Sequence, residues 1–155
     1  MNNAKFDVTA IGNAIVDVIA QADDALLAAH KLPKGAMNLI DAEMAEKLYS
    51  IMGPGKEASG GSAGNTIAGI AMLGGKTAYI GKVANDQLGS IFTHDIRAIG
   101  VTYDTSPLEG GLPTARCLIF VTPDAQRTMQ TYLGATTQLG PEDVNMDYIT
   151  SSNVV

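Results

Sequence analysis

The chain reads as an α/β fold: a mostly parallel sheet flanked by helices, with a second, smaller β-sheet standing off from it. Three observations carry this expectation. Apolar strand-like runs alternate with helix-like segments through residues 6–105, the pattern of parallel strands joined by helical connections. The runs within 14–20, 36–40 and 112–133 lack helices in the places that would thread them into that sheet, so they are expected to pair separately. The length, 155 residues, suits a single domain, residues 1–155, with a real core.

Each element has its own local grounds. Phe6–Gly12 is an apolar run of strand type, and after Asn13 a second continues over Ala14–Ala20. Asp23–Lys31 (DDALLAAHK) places acids first and a base last, the order the helix dipole favours. Gly35 precedes a brief strand, Ala36–Ile40, after which Asp41 caps a helix running to about Met52. GPGKEASGG is expected to be a loop, followed by a helix over Ser62–Leu73. Thr77–Val83 is a strand, and Asn85 or Asp86 caps a long amphipathic helix that ends at Gly100. Asp86 and Gly89 are read as structural, a helix cap and a close-packing glycine. Val101–Asp104 is a further short strand, and Leu112–Val121 and Arg127–Leu133 form the arms of a hairpin. Gly140-Pro141 opens a last short helix with proline at its first position, and Asn153-Val154-Val155 begins another strand.

With 46% hydrophobic and 17% charged residues and a mean hydropathy of +0.11, the chain is globular rather than disordered or fibrous. A net charge of −6 and a pI near 4.7 argue against nucleic acid as a partner, though not against nucleotides, whose phosphates need only a few local donors. Cys117 is the single cysteine, so a disulfide framework and a thiolate metal cluster are out, and a reducing compartment fits. His30 and His94 have no partner at metal-ligand spacing, and no metal site is expected. The apolar run Ala10–Ala20 is broken by Asn13 and Asp17, lacks a basic flank and is too short to span a bilayer. A cytoplasmic protein without membrane contact is the expectation.

The most informative stretch is residues 60–89, GGSAGNTIAGIAMLGGKTAYIGKVANDQLG. Gly60-Gly61-Ser62 opens a helix of small and apolar residues whose first backbone N–H groups a ligand can approach directly. Asn65 lies in the first turn, where side chains lean back toward the helix start. Such a start suits a hydroxyl-rich or anionic small molecule. Tight helix–strand packing is the competing explanation, although packing requires neither Ser62 nor Asn65. In Gly12-Asn13-x-x-x-Asp17 a carboxylate interrupts an apolar run, where burial without a partner is costly. Asp17 either points to solvent or accepts the hydroxyls of a sugar diol. Met37 and Leu39 share one strand face and suit a core as well as a ligand wall. Arg127, beside the hairpin turn, is either a solvated surface charge or an anion contact. Two phosphate-loop lookalikes fail. Gly75-Lys76-Thr77 has Ile70 where a Walker A loop needs glycine and leads into a strand, and Gly53-Pro54-Gly55 follows a helix and has Ala58 at the third fingerprint position.

In the order and spacing of these motifs the chain resembles the ribokinase-like carbohydrate and nucleoside kinases, the PfkB family, from about Asp7 to its last residue. Residues 60–89 are similar to that family's N-terminal signature. The opening GNAIVDV and Ser62 after the diglycine are most similar to its adenosine-phosphorylating members. The resemblance implies a ribokinase-like fold with a small β-sheet lid. It implies ATP-dependent phosphorylation of the primary ribose hydroxyl of adenosine or a related nucleoside or sugar, with Mg²⁺ bridging the ATP phosphates. Asn13 and Asp17 would hold the ribose hydroxyls, and Gly60, Gly61, Ser62 and Asn65 would complete the sugar pocket. Met37, Leu39, Thr114, Met129 and Leu133 match positions that touch base or ribose. Arg127 matches a lid-hairpin arginine that approaches the transferred phosphate, and Ala125 stands where that hairpin usually has glycine. The family's base aspartate, glycine-rich anion hole and ATP-binding segments lie in a C-terminal half outside these residues. The chain alone is therefore expected to hold substrate without turning it over. The alternatives are a ribokinase- or fructokinase-type sugar kinase, a non-catalytic sugar- or nucleoside-binding or assembly module, and a flavodoxin- or Rossmann-like nucleotide module. The oligomeric state is open, a lid-mediated dimer being one arrangement.

Overall fold

The computed structural model describes residues 4–155. Its strands, in chain order, are β1 Phe6–Ile11, β2 Ile15–Gln21, β3 Met37–Leu39, β4 Gly55–Gly60, β5 Thr77–Ile80, β6 Ala115–Val121, β7 Arg127–Tyr132 and β8 Ser152–Val154. The helices are α1 Asp24–Ala29, α2 Ala42–Ile51, α3 Ser62–Met72, α4 Gln87–Ala98 and α5 Met146–Thr150. Asp23, Asp41 and Asp86 each cap the helix that follows, accepting a first-turn N–H at 2.7–2.8 Å. Among the described residues no helix is long and apolar enough to cross a membrane.

The strands form two sheets. In the first, β1 lies between β5 and β8 and is parallel to both, in register Val8↔Thr77 and Phe6↔Ser152. Every residue of β5 (TAYI) is buried, as a parallel strand covered on both faces requires. One side packs on Ile67 of α3 and Phe92 and Ile96 of α4, with Tyr79, Phe92 and Tyr103 stacked edge and tilt at centroid distances of 5.5–6.0 Å. The other side packs Phe6, Ala78 and Ile80 against Tyr148 of α5.

The second sheet has the order β3-β7-β6-β2-β4 and is mixed: β2–β6 and β3–β7 are parallel, β2–β4 and β6–β7 antiparallel. Val18, Leu118 and Phe120 on one face bury against Leu27 of α1 and Leu48 of α2. Among the described residues the opposite face carries no helix.

Three expectations need correction. GPGKEASGG is not all loop, because Gly55–Gly60 is β4. Gly, Lys, Glu and Ser are poor strand formers, but β2 offers a six-residue antiparallel partner, Ile15↔Gly60 to Ala20↔Gly55. The residues that suggested a loop are also those that blunt a sheet edge, where β4 lies. Val101–Asp104 forms no strand, only a single bridge of Thr102 to Ala78. Gly140-Pro141 opens a one-turn 3-10 segment, Pro141–Asp143, that stops at the extended Val144, and α5 begins only after Asn145 caps it.

Candidate functional site

The site begins with the pleat of β2. Val16, Val18 and Ala20 point into the cores, so Ile15, Asp17 and Ile19 point to the helix-free face. Pairing extends that face across the sheet in rows. Asp17 stands beside Cys117, then Thr131, then Leu39; the next row is Ile19, Ile119, Met129 and Met37. Asp17 is thus the one carboxylate in these two rows, whose other members are apolar except Thr131, and β4 sets Lys56 beside Ile19 on the same face. Met37 and Leu39, at the far edge, are 56% and 64% exposed, so they are wall and not core.

The Asp17 carboxylate is half-buried and accepts no hydrogen bond from any described residue. Burial lifts its pKa above the ordinary aspartate value. It leans over the end of β4, where a Cβ on Gly60 would overlap it. Gly61 follows with φ of +87°, and a Cβ there would come 2.6 Å from the carbonyl oxygen of Asn13. Gly12 lets the β1–β2 corner approach α3, since its Cβ would meet that of Ala63 at 2.7 Å. Three glycines without room for a side chain therefore bring Asn13, Asp17 and the diglycine together.

At the same point α3 begins without a side-chain cap. Its first intrahelical bond is from the Asn65 N–H to the Gly61 carbonyl, 2.8 Å, which leaves the N–H groups before it free of helical acceptors. Ser62 and Asn65 are exposed beside them. A carboxylate acceptor faces a set of backbone donors across a glycine floor, with an apolar wall alongside. That combination can hold vicinal hydroxyls at one end and a flat or apolar group at the other.

Other sequence-predicted residues fall elsewhere. Thr114 is fully buried with its polar atoms committed: the hydroxyl donates to Asp86 Oδ1 at 2.6 Å and accepts the Ala84 N–H at 2.9 Å, and its own N–H donates to Asp86 Oδ2. It is a joint between β6 and α4. Met129 belongs to the wall, and Leu133 is half-buried just after β7. Arg127 shares the wall's face but lies two rows from Asp17, about 13 Å along the sheet at ~3.3 Å per residue. The structure does not bring it to the diglycine. Asp86 and Gly89 are structural as read: Asp86 caps α4, and a Cβ on Gly89 would collide with the Ala84 carbonyl. Ala125 takes the left-handed φ of +64° in the hairpin turn.

Sequence reading missed Ile15, Ile19, Cys117, Ile119 and Thr131. Cys117 is buried in Asp17's row; burial raises its thiol pKa, and the Thr131 hydroxyl donates to Sγ at 3.3 Å. No local signal marks Cys117 and Ile119, because ARCLIFV is apolar apart from Arg116 and buried almost throughout, so only strand register assigns its faces. A concavity of about 740 Å³ beside α4 contains none of the predicted site residues. Its Ser90 and Thr93 hydroxyls and the Nε of Arg97 already bond to backbone carbonyls.

Comparison with known proteins supports the fold. Residues 6–155 match the model of the pfkB family of carbohydrate kinases, and the chain belongs to that family. It superposes on the crystal structure of adenosine kinase from Sinorhizobium meliloti with a TM-score of 0.90 at 64% identity, covering 96% of this chain and 46% of that one. A probable sugar kinase from Rhizobium etli CFN 42 gives 0.91 at 61% identity, covering 96% and 45%. The fructokinase of Solanum tuberosum is 29% identical over 100 residues, 63% of this chain and 31% of its own length. The chain thus spans just under half of these solved chains and about a third of that curated relative.

Proposed function

We propose that this chain forms the acceptor-holding part of an ATP-dependent nucleoside or sugar kinase, with adenosine as the favoured acceptor. The observation that carries the reading is the unpartnered, half-buried Asp17 carboxylate lying against the diglycine at the uncapped start of α3. A carboxylate kept from water is a strong acceptor for two neighbouring hydroxyls, and the ribose diol supplies them. Asn13, Ser62 and Asn65 stand around it with further polar groups. The row of Ile19, Ile119, Met129 and Met37 gives a nucleobase an apolar surface that a bare sugar would leave unused. The 64% identity to the Sinorhizobium meliloti adenosine kinase supports the nucleoside, whereas the sugar-kinase likenesses support ribose or fructose as the second reading.

The second sheet serves in this reading as the lid. Its open face closes over the acceptor, excludes water and so suppresses wasted ATP hydrolysis. The family implies ATP and Mg²⁺, and among the described residues no group of three His, Cys, Asp or Glu side chains could hold a metal ion by itself. No step is routed through either group. The described residues account for capture and orientation of the acceptor, and phosphoryl transfer needs a base and γ-phosphoryl stabilisation beyond them.

Titration calorimetry with adenosine, ribose and fructose tests the reading. Saturable adenosine binding that Asp17→Asn weakens by about 100-fold or more is the expected result. Binding of ribose or fructose alone moves the protein to the sugar kinases, and no binding of any of the three ends the proposal.

A further inference from the structure

Nothing inside the diglycine holds it in place. Glycine has the widest backbone freedom, Gly61 sits at positive φ, and no side chain caps the helix it starts. β2 secures Gly60 from one side through the Ile15↔Gly60 pairing. On the other side β4 is a sheet edge, whose alternate backbone groups face away from β2 and have no strand to meet.

One of those groups is taken. The Ser59 N–H, directly before the diglycine, donates to Asp95 Oδ2 of α4 at 3.0 Å. The helix that presents Asp95 is itself immobilised. Its neighbours Phe92 and Ile96 are buried in the main core, and Asp86 at its start holds Thr114 at the entrance to β6. The other Asp95 oxygen lies 3.3 Å from the Nδ1 of His94, which is largely exposed and makes no other hydrogen bond among the described residues. The Ser59 bond is therefore the specific use the fold makes of this carboxylate.

We propose that Asp95 is a positioning residue for the substrate site: it fixes Ser59, and through it the Gly60-Gly61 turn, relative to Asp17. The inference rests on the nucleoside or sugar reading of that site. A small displacement of the turn moves both the α3 donors and the glycine floor under Asp17, and errors of about 1 Å in such geometry cost as much as 100-fold.

The test compares Asp95→Ala, Asp95→Asn and His94→Ala in the protein, reading amide hydrogen exchange at Ser59, Gly60 and Gly61 together with calorimetric affinity for adenosine, ribose and fructose. Asp95→Ala is expected to speed exchange at all three amides and to weaken binding about tenfold or more. Asp95→Asn keeps an oxygen acceptor and should restore both readouts to within about threefold, and His94→Ala should leave both unchanged. A merely structural role predicts a lower melting temperature with unchanged affinity and unchanged exchange at Gly61, and that outcome overturns the proposal. Equal losses in Asp95→Ala and Asp95→Asn also overturn it. If the wild type binds none of the three ligands, the functional reading falls. Exchange at Gly60 and Gly61 then decides the positioning claim alone.

Discussion

The two sheets of this protein treat their surfaces differently. The β5-β1-β8 sheet is covered on both faces, and its central aromatic cluster of Tyr79, Phe92 and Tyr103 is wholly buried. The second sheet is covered on one face by α1 and α2, while the other face leaves Met37 and Leu39 in water and Asp17 without a partner. A folded domain does not gain stability from a desolvated carboxylate or an exposed methionine. The first sheet buries both of its faces, and under the function proposed above a ligand completes the second.

The largest expected contrast is between a core and a wall substitution. Phe92→Ala should destabilise the protein by about 3–5 kcal/mol in urea unfolding, through lost burial and the cavity left behind. Leu39→Ala should change stability by less than about 0.5 kcal/mol. It should nevertheless weaken adenosine binding. Equal destabilisation by the two would erase the distinction between the sheets.

Asp17→Asn should reduce affinity by about 100-fold or more, as expected when charge-assisted hydrogen bonds are lost, without lowering the melting temperature. Its pH behaviour carries a definite sign. Burial raises the Asp17 pKa above 3.8, so the folded, ligand-free protein holds that proton more tightly than the unfolded chain does. Asp17 therefore subtracts stability at neutral pH, and the deficit disappears as pH falls through the raised pKa to below 3.8. If Asp17 holds the acceptor as proposed, ligand binding should weaken over the same descent. Both trends should be absent in Asp17→Asn.

A smaller effect separates two glycines near each other in sequence. Gly61→Ala must adopt φ of +87° and crowd the Asn13 carbonyl, which should cost about 2 kcal/mol and impair binding. Gly69→Ala meets nothing within 4 Å and should stabilise α3 by roughly 0.5–1 kcal/mol with affinity unchanged. Chemical denaturation and calorimetry on the pair distinguish a glycine the site requires from one it does not. The smallest change concerns the hairpin: Ala125→Gly relieves a left-handed alanine and should add about 0.5 kcal/mol without altering adenosine affinity.

Much of the fold was legible from local signals. Asp23, Asp41 and Asp86 cap the helices their positions announced, and the buried strand TAYI reads as one. The family likeness likewise rests on motif spacing that the match over residues 6–155 supports. β4 was hidden because its glycines, lysine and serine match a loop, and only its pairing with β2 makes it a strand. The burial of Thr114 was hidden because nothing in one dimension shows Asp86 and Ala84 taking its hydroxyl.

The amino-acid order by itself determined which segments become helices and strands, where glycine replaces side chains, and that a carboxylate interrupts an apolar run. Those properties depend on residues a few positions apart. Only the tertiary structure decided which face of the second sheet stays open, that Cys117 and Thr131 stand in Asp17's row, and that Asp95 reaches Ser59. Strand register and helix docking join residues distant in sequence, and a shift of one residue would turn every one of those side chains to the other face.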